Sequence, residues 1–398
     1  MGRTTISVVS ILLLGCSNQG NAPQVSTRDS AGVRIVESRA PSWQDGEAWT
    51  LDDTEAMDLT TTGSGPAHEF YRVVGGTVLA DGRIIVVNGG SSEIRAFSRT
   101  GTFQTSVGRE GEGPGEYRSI RGLIRFEGDT IGVFSWPTNL TLLRPDLTFV
   151  RRVRLGDRGR SPRPLDNGRV VDLETYASVL EYEGGEGLIR PPISLVLRDL
   201  YGVLMDTVWT GPGFEEYMVP MDDGVSAFRP LFGKGPAFAT RGSLVLVGTS
   251  EAMKYRVVDL EGRLQEIVRV PDYDLTLPRS SIDAEKVALL GPDPSSRRRR
   301  IIENLPAPET FPAYSDFVVD AAGYLWAGEL LTLHRWGEPR RWEVFSPDGE
   351  WMGPIHTPSD FEVLEIGVDY VLGVFRDELD IEHVQFIPLK RTAEESDR

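Results

Sequence analysis

Few side chains in this sequence could make or break bonds. The histidines are His68, His334, His356 and His383, and no two stand at the His-x-x-x-His spacing that lets imidazoles share a metal from one helix face. Cys16 is the only cysteine, which excludes an intramolecular disulfide and a zinc site built on thiolates. No Gly-x-Ser-x-Gly elbow is present to expose a serine nucleophile. The stretch Gly108-Arg109-Glu110-Gly111-Glu112-Gly113-Pro114-Gly115-Glu116-Tyr117 is glycine-rich but lacks the Gly-Lys-Ser/Thr ending of a phosphate loop, and its glutamates would repel phosphate. It reads as a connection whose glycines permit a tight crossing, with Arg109 either paired to a neighbouring carboxylate or reaching a ligand. Asp129, Asp146, Asp259 and Asp348 recur at turns without an Asp-x-Asp-x-Asp ladder, so turn chemistry explains them better than calcium.

What remains is recognition chemistry. Trp136, Tyr176, Tyr217 and Trp336 fall in connections, where aromatic faces could line a sugar or peptide groove. Trp326 and Trp351 follow turns inside strands and read as core. The candidate ligand contacts are Arg109, Glu112, Tyr117, Trp136, Arg229, His334 and Trp336. No catalytic residue, metal ligand or cofactor is expected; calcium is weighed only for an enzymatic alternative.

The elements that must position these residues follow from composition. The 398 residues carry 42 Lys plus Arg against 59 Asp plus Glu, a net charge of −17, which argues against non-specific nucleic-acid binding. With 43 Gly and 26 Pro the chain is rich in turns, which favours short strands over long helices. An apolar share of 40% is that of a globular chain.

The N-terminus reads as an address. Arg3 precedes a short apolar run from Ile6 to Leu14, too short to span a bilayer. Leu13-Leu14-Gly15-Cys16 follows and resembles the lipobox of bacterial lipoproteins, apart from the bulk of Leu14 before Gly. That resemblance implies cleavage after residue 15, a lipid on Cys16 and an anchor in the cell envelope. Residues 16–31 then read as a flexible tether.

From Val73 onward a two-turn pattern repeats. Asp81-Gly82 is followed by Thr100-Gly101, and further first turns lie at Gly128, Gly168, Gly242, Gly323 and Gly367. Each unit has room for four strands, and six units predict an all-β fold, a six-bladed β-propeller over residues 32–391. Two stacked β domains are the alternative, but no composition break separates two halves. The sixth unit runs out of chain, so its fourth strand must come from the N-terminal side, from residues 33–37 or 49–51. Ser280-Ser281-Ile282-Asp283 opens a helical pattern that Gly291-Pro292 stops, giving a helical insertion over 278–305 between units four and five. Residues 392–398 read as a disordered tail.

The decapeptide at 108–117 resembles a stretch of bacterial six-bladed β-propeller lipoproteins. Asp29-Ser30-Ala31-Gly32-Val33-Arg34-Ile35-Val36 is similar to their mature N-terminus, and Val319-Asp320-Ala321-Ala322-Gly323-Tyr324-Leu325-Trp326 resembles an NHL-type repeat. The resemblance spans roughly residues 29 to 390 and implies the fold and an extracytoplasmic setting, not an activity. Six-bladed propellers that act as lactonases or lyases hold a metal or a histidine at the channel mouth, which makes His334 the candidate of that kind.

In a four-stranded meander the tight turns share one face of the disc, and the long connections share the other. A ligand site is therefore expected on the long-loop face. Arg118, Arg121, Arg229, Asp316 and Glu362 lie where strands begin near the channel. The expected function is a lipid-anchored module that binds an envelope protein, peptide or glycan; the alternative is a propeller hydrolase or lyase at the channel mouth. Arg297, Arg298, Arg299 and Arg300 form a basic run that either contacts anionic lipid or an acidic partner, or is a solvated helix face.

Overall fold

The computed structural model describes residues 24–44, 46–156, 162–175, 185–221 and 224–391. The expected signal peptide, Cys16, Tyr176 and the C-terminal tail lie outside them.

Short β-branched runs punctuated by turns build six antiparallel sheets, the blades of a propeller. Blade 1 covers residues 73–107, blade 2 120–154, blade 3 163–212, blade 4 237–269, blade 5 316–357 and blade 6 361–390. The first strand of each blade lies innermost. These strands are Val73–Val78, Ile120–Arg125, Arg163–Pro164, Ala237–Arg241, Asp316–Val319 and Phe361–Ile366, and they contact one another in ring order. The second strands explain why an alternating pattern is absent from the sequence. Ile84–Asn88 and Ile131–Ser135 are buried along their whole length, because a blade packs on each face. Outer strands such as Phe103–Val107 are largely exposed.

Each junction between neighbouring blades has its own apolar core. Ile85, Val87 and Ile94 meet Ile120, Ile131 and Val133 between blades 1 and 2. Trp326, Trp342 and Val344 meet Phe361, Val371 and Ile387 between blades 5 and 6. Glycine is obligatory where a turn of one blade lies on its neighbour. Gly202 has φ +81°, and a Cβ there would stand 2.1 Å from the carbonyl oxygen of Arg154.

The ring is closed from the N-terminal side. Thr50–Leu51 pairs antiparallel with Leu389 and Lys390 of the last strand, and Met57–Asp58 pairs with the same strand further along. Two paired residues are a weak clasp, so side chains reinforce it. Trp49 is buried against Trp326 and Tyr324, with ring centroids 6.1 and 4.8 Å away. The Arg391 guanidinium lies 4.0 Å from the Trp49 ring and bonds the buried Asp320 carboxylate at 2.7 Å. Lys390 pairs with Asp52 at 2.5 Å, and His383 with Asp58 at 2.8 Å.

Residues 33–37, the other strand considered for closure, go elsewhere. Val33–Ser38 runs parallel to the outer strand of blade 4, pairing Arg34 with Glu266 and Glu37 with Arg269. Val25–Ser30 folds back on it through Ala31-Gly32, both at positive φ, so blade 4 has six strands. The tether expected through residue 31 is therefore an edge strand from residue 25 to 30.

Two insertions rise from the long-loop face. One is a three-stranded sheet of Gly187–Ile189, Glu216–Met221 and Gly224–Phe228. The other is the helical hairpin α1 (Arg279–Leu290) and α2 (Ser296–Asn304). Leu231, Phe232, Ile302 and Leu305 bury a shared core between them, joined by Phe228 and Ile282.

Candidate functional site

The inner strands bring charge of both signs to the mouth of the channel. Arg121 and Arg163 stand near the upstream ends of the inner strands of blades 2 and 3, and Asp316 and Glu362 near those of blades 5 and 6. Burial holds the Arg163 guanidinium below its ordinary pKa, against the smaller opposing pull of the Asp316 and Asp172 carboxylates. Arg163 also stacks on Phe238 of blade 4, its guanidinium carbon 5.5 Å from the ring centroid. Arginines and carboxylates from different blades are thus both present at the mouth.

Between blades 5 and 6 this mouth opens into a cleft of about 300 Å³. Asp316, Glu362 and Asp360 supply carboxylates, Arg340 and Arg376 supply guanidinia, and Trp336 stands at the edge. Arg340 is held from three sides: it stacks on buried Trp342 at 4.3 Å, bonds Asp316 Oδ1 at 2.8 Å and donates to the Glu329 carbonyl at 3.1 Å. Arg376 donates to Glu382 at 3.1 Å and to Glu362 at 3.4 Å. Burial alone would lower its pKa, but those two carboxylates hold it above the ordinary value. The Trp336 side chain is unlike these fixed groups, because the residue is 63% exposed. The cleft therefore offers a free aromatic face beside planar, pre-oriented hydrogen-bonding groups.

A larger cavity of about 530 Å³ lies between blades 4 and 5. Its most buried charge, Glu343, already accepts from Arg341 Nε at 2.6 Å, Tyr273 Oη at 2.6 Å and Trp351 Nε1 at 2.7 Å. Burial and the Glu343 charge push the Tyr273 hydroxyl well above the ordinary tyrosine range. This carboxylate is occupied in bracing the blade junction.

The residues singled out in the sequence do not form one site. Arg109 makes a forked bond to Glu116, at 2.8 Å from Nε and 2.6 Å from Nη2. Glu112 pairs with Arg118 at 2.6 Å. Tyr117, expected at a ligand, is buried in the core between blades 1 and 2, and burial pushes its hydroxyl up to about 12. Arg152 of blade 2 donates to the carbonyls of Glu112, Gly113 and Glu116, so the whole 108–117 loop is strapped down. His334 is also taken, because Glu285 of α1 accepts from its Nδ1 at 2.8 Å and from the backbone amides of Leu333 and His334. Arg229 lies over Phe214 at 4.7 Å, and Arg121 lies over Trp136 at 4.7 Å. Of the seven candidates only Trp336 lines the cleft.

Arg340 and Arg376 were not singled out. Nothing local marks them, because each meets its carboxylate across a sheet, Arg340 at a separation of 24 residues and Arg376 at 14 from Glu362. Asp316 and Glu362 were legible as inner-strand residues. Among the described residues no group of three or more His, Cys, Asp or Glu is placed to hold a metal ion.

A family model, DUF5128, described as a 6-bladed beta-propeller, matches residues 50–133, from the closing strand into blade 2. No curated protein matches the chain. Among solved structures, a protein from Bacteroides fragilis described as exported is similar at a TM-score of 0.51 and 12% identity, over 89% of this chain and 99% of that one. A member of the DUF4221 family from Bacteroides vulgatus is similar at a TM-score of 0.51 and 11% identity, over 86% and 98%. At such identities the likeness is one of fold. Its own ring of blades and these likenesses agree that the chain is a six-bladed β-propeller.

Proposed function

We propose that this propeller is a non-enzymatic recognition module, anchored at the cell envelope through Cys16, that binds a saccharide in the cleft between blades 5 and 6. The observation that carries the reading is Trp336, 63% exposed at the edge of a cleft in which Arg340 and Arg376 are already oriented by carboxylates. Sugar rings present C–H faces that stack on indole, and paired hydroxyls that match carboxylates and guanidinia. Because Arg340 and Arg376 are held before a ligand arrives, little side-chain ordering remains to oppose binding. A volume of about 300 Å³ suits one or two sugar rings better than a folded protein partner.

The envelope location rests on Leu13-Leu14-Gly15-Cys16 and is in keeping with the exported description of the Bacteroides fragilis protein. Mass spectrometry of the envelope-purified protein tests it: the first residue is expected to be an acylated Cys16, and an unmodified N-terminus rejects the anchor.

Calorimetric titration with envelope-derived saccharides tests the cleft. Stacking on one face of Trp336 would bury roughly 80 Å² of apolar surface, worth about 2 kcal/mol. Trp336→Ala should then weaken binding about 30-fold. A saccharide that binds equally well to the variant, or no saccharide binding at all, would reject the cleft.

A further inference from the structure

Where the chain enters the propeller bears on how the molecule sits at a membrane. Val25–Ser30 is antiparallel to Val33–Ser38, which runs parallel to the outer strand of blade 4. Val25 therefore lies at the long-loop end of that blade, where Arg39 donates its backbone N–H to the Gln24 carbonyl at 2.8 Å. The Arg39 side chain pairs with Asp272 at 3.5 Å. Asp272 belongs to the connection that goes on to form α1 and α2. The tether and the helical hairpin thus share one face and one sector of the disc.

From Cys16 to Gln24 the chain takes 24 − 16 = 8 residue steps. Fully extended they reach about 28 Å. To present the opposite face, the tether would have to run back down the blade edge, where six residues of strand use about 20 Å and leave only about 8 Å to reach the bilayer. The tether thus leaves the long-loop side the most slack toward the bilayer, and a second contact is needed to fix the orientation.

That side carries the basic run on α2. Arg297, Arg298, Arg299 and Arg300 are exposed in a chain of net charge −17. Arg298 caps α1 by donating to the Leu289 carbonyl at 2.9 Å, and Arg299 stands 3.7 Å from Glu303. Arg297 and Arg300 make no ion pair among the described residues. On α1 nearby, Val287 is 70% exposed. We propose that α2 is a docking surface for anionic phospholipid headgroups of the bilayer that holds the anchor. This rests on the Cys16 reading above. A few arginines are too weak to recruit a soluble protein at physiological salt, but each favours adsorption roughly fivefold, enough to orient a body already tethered.

The test uses the full-length acylated protein in vesicles of phosphatidylcholine alone or with about a third phosphatidylglycerol. An environment-sensitive dye is attached through Val287→Cys on α1 or Ser98→Cys at a tight turn of blade 1 on the opposite face. Flotation with both vesicle types reports the anchor. The expected result is a blue shift of the Val287→Cys dye only with anionic vesicles, none for Ser98→Cys, and loss of the shift in the triple variant R297E/R299E/R300E while flotation persists. Flotation without a shift, or a shift that survives charge reversal, overturns the docking surface and leaves the anchor standing. Failure to float with either vesicle overturns the anchor, and the docking proposal with it.

Discussion

Arg391→Ala should open the ring at its clasp. Arg391 bonds Asp320, whose side chain is fully buried, and covers the rings of Trp49 and Tyr324 at 4.0 and 5.3 Å. Removing one partner of a buried ion pair costs about 3–5 kcal/mol. Asp320 keeps the amides of Ala322 and Tyr324 and the Trp326 indole N–H, which favours the lower end of that range. The lost guanidinium stacking adds about 1 kcal/mol, for a total near 4. Unfolding entropy of about 2.1 cal/mol/K per residue makes roughly 0.8 kcal/mol/K for a chain of this length, so Tm should fall by about 5 °C. Scanning calorimetry of Arg391→Ala, Asp320→Asn and the double variant measures both the loss and the coupling. In the Asp320→Asn background no buried charge is abandoned, so Arg391→Ala should cost about 2 kcal/mol less there. A single variant within 1 °C of the parent, or strictly additive losses, would refute the clasp.

Gly202→Ala forces a side chain onto a residue at φ +81° and against the Arg154 carbonyl, so a loss of about 2 kcal/mol or more is expected in urea unfolding; a neutral variant would mean that the blade 2–3 contact is loose. Asp52 is held at about 2, chiefly by its bond to Lys390, against an ordinary value of 3.8. A depressed carboxylate contributes stability above its unfolded pKa and loses it as pH falls through the folded one. The Tm deficit of Asp52→Asn should therefore be full above about pH 4 and gone near pH 2, and a deficit independent of pH would contradict the pairing. Glu285→Ala removes the acceptor that holds residues 333 and 334, so amide exchange of Leu333 and His334 should quicken while blade-core amides stay protected. Unchanged exchange would show that α1 does not brace the Trp336 loop.

The blades were legible because their turns are local chemistry. Asp-Gly and related pairs stand between strand one and strand two in the early blades, and the shortage of chain after Gly367 pointed to a borrowed strand that proved to be Thr50–Leu51. Val25–Ser30 escaped notice for a physical reason. It is an edge strand, Val-Ser-Thr-Arg-Asp-Ser, exposed along nearly its whole length, so it carries neither alternation nor an apolar run. The cleft was only half legible. Trp336 stands out as a large aromatic in a loop, whereas Arg340 and Arg376 gain meaning only once two blades bring Asp316 and Glu362 beside them. His334 misled because the carboxylate that occupies it, Glu285, lies 49 residues away.

The borrowed strand also sets a timetable for making the molecule. Residues 50–58 leave the ribosome early, yet their partner strand ends at Lys390, the last residue of the ring. At about 5–20 residues per second, the 390 − 58 = 332 residues between them take roughly 15–65 s to synthesise. Throughout that interval blade 6 does not exist, and a blade 1 that folded would present a bare apolar flank, including Ile84, Val86 and Phe97, which in the finished ring packs against Leu372, Val374 and Val384. The final sheet can form only when both ends of the chain are on the same side of any membrane it must cross. Closure is thus a checkpoint on complete synthesis and complete transfer, and a truncated product lacking the last strand has no partner for Thr50–Leu51.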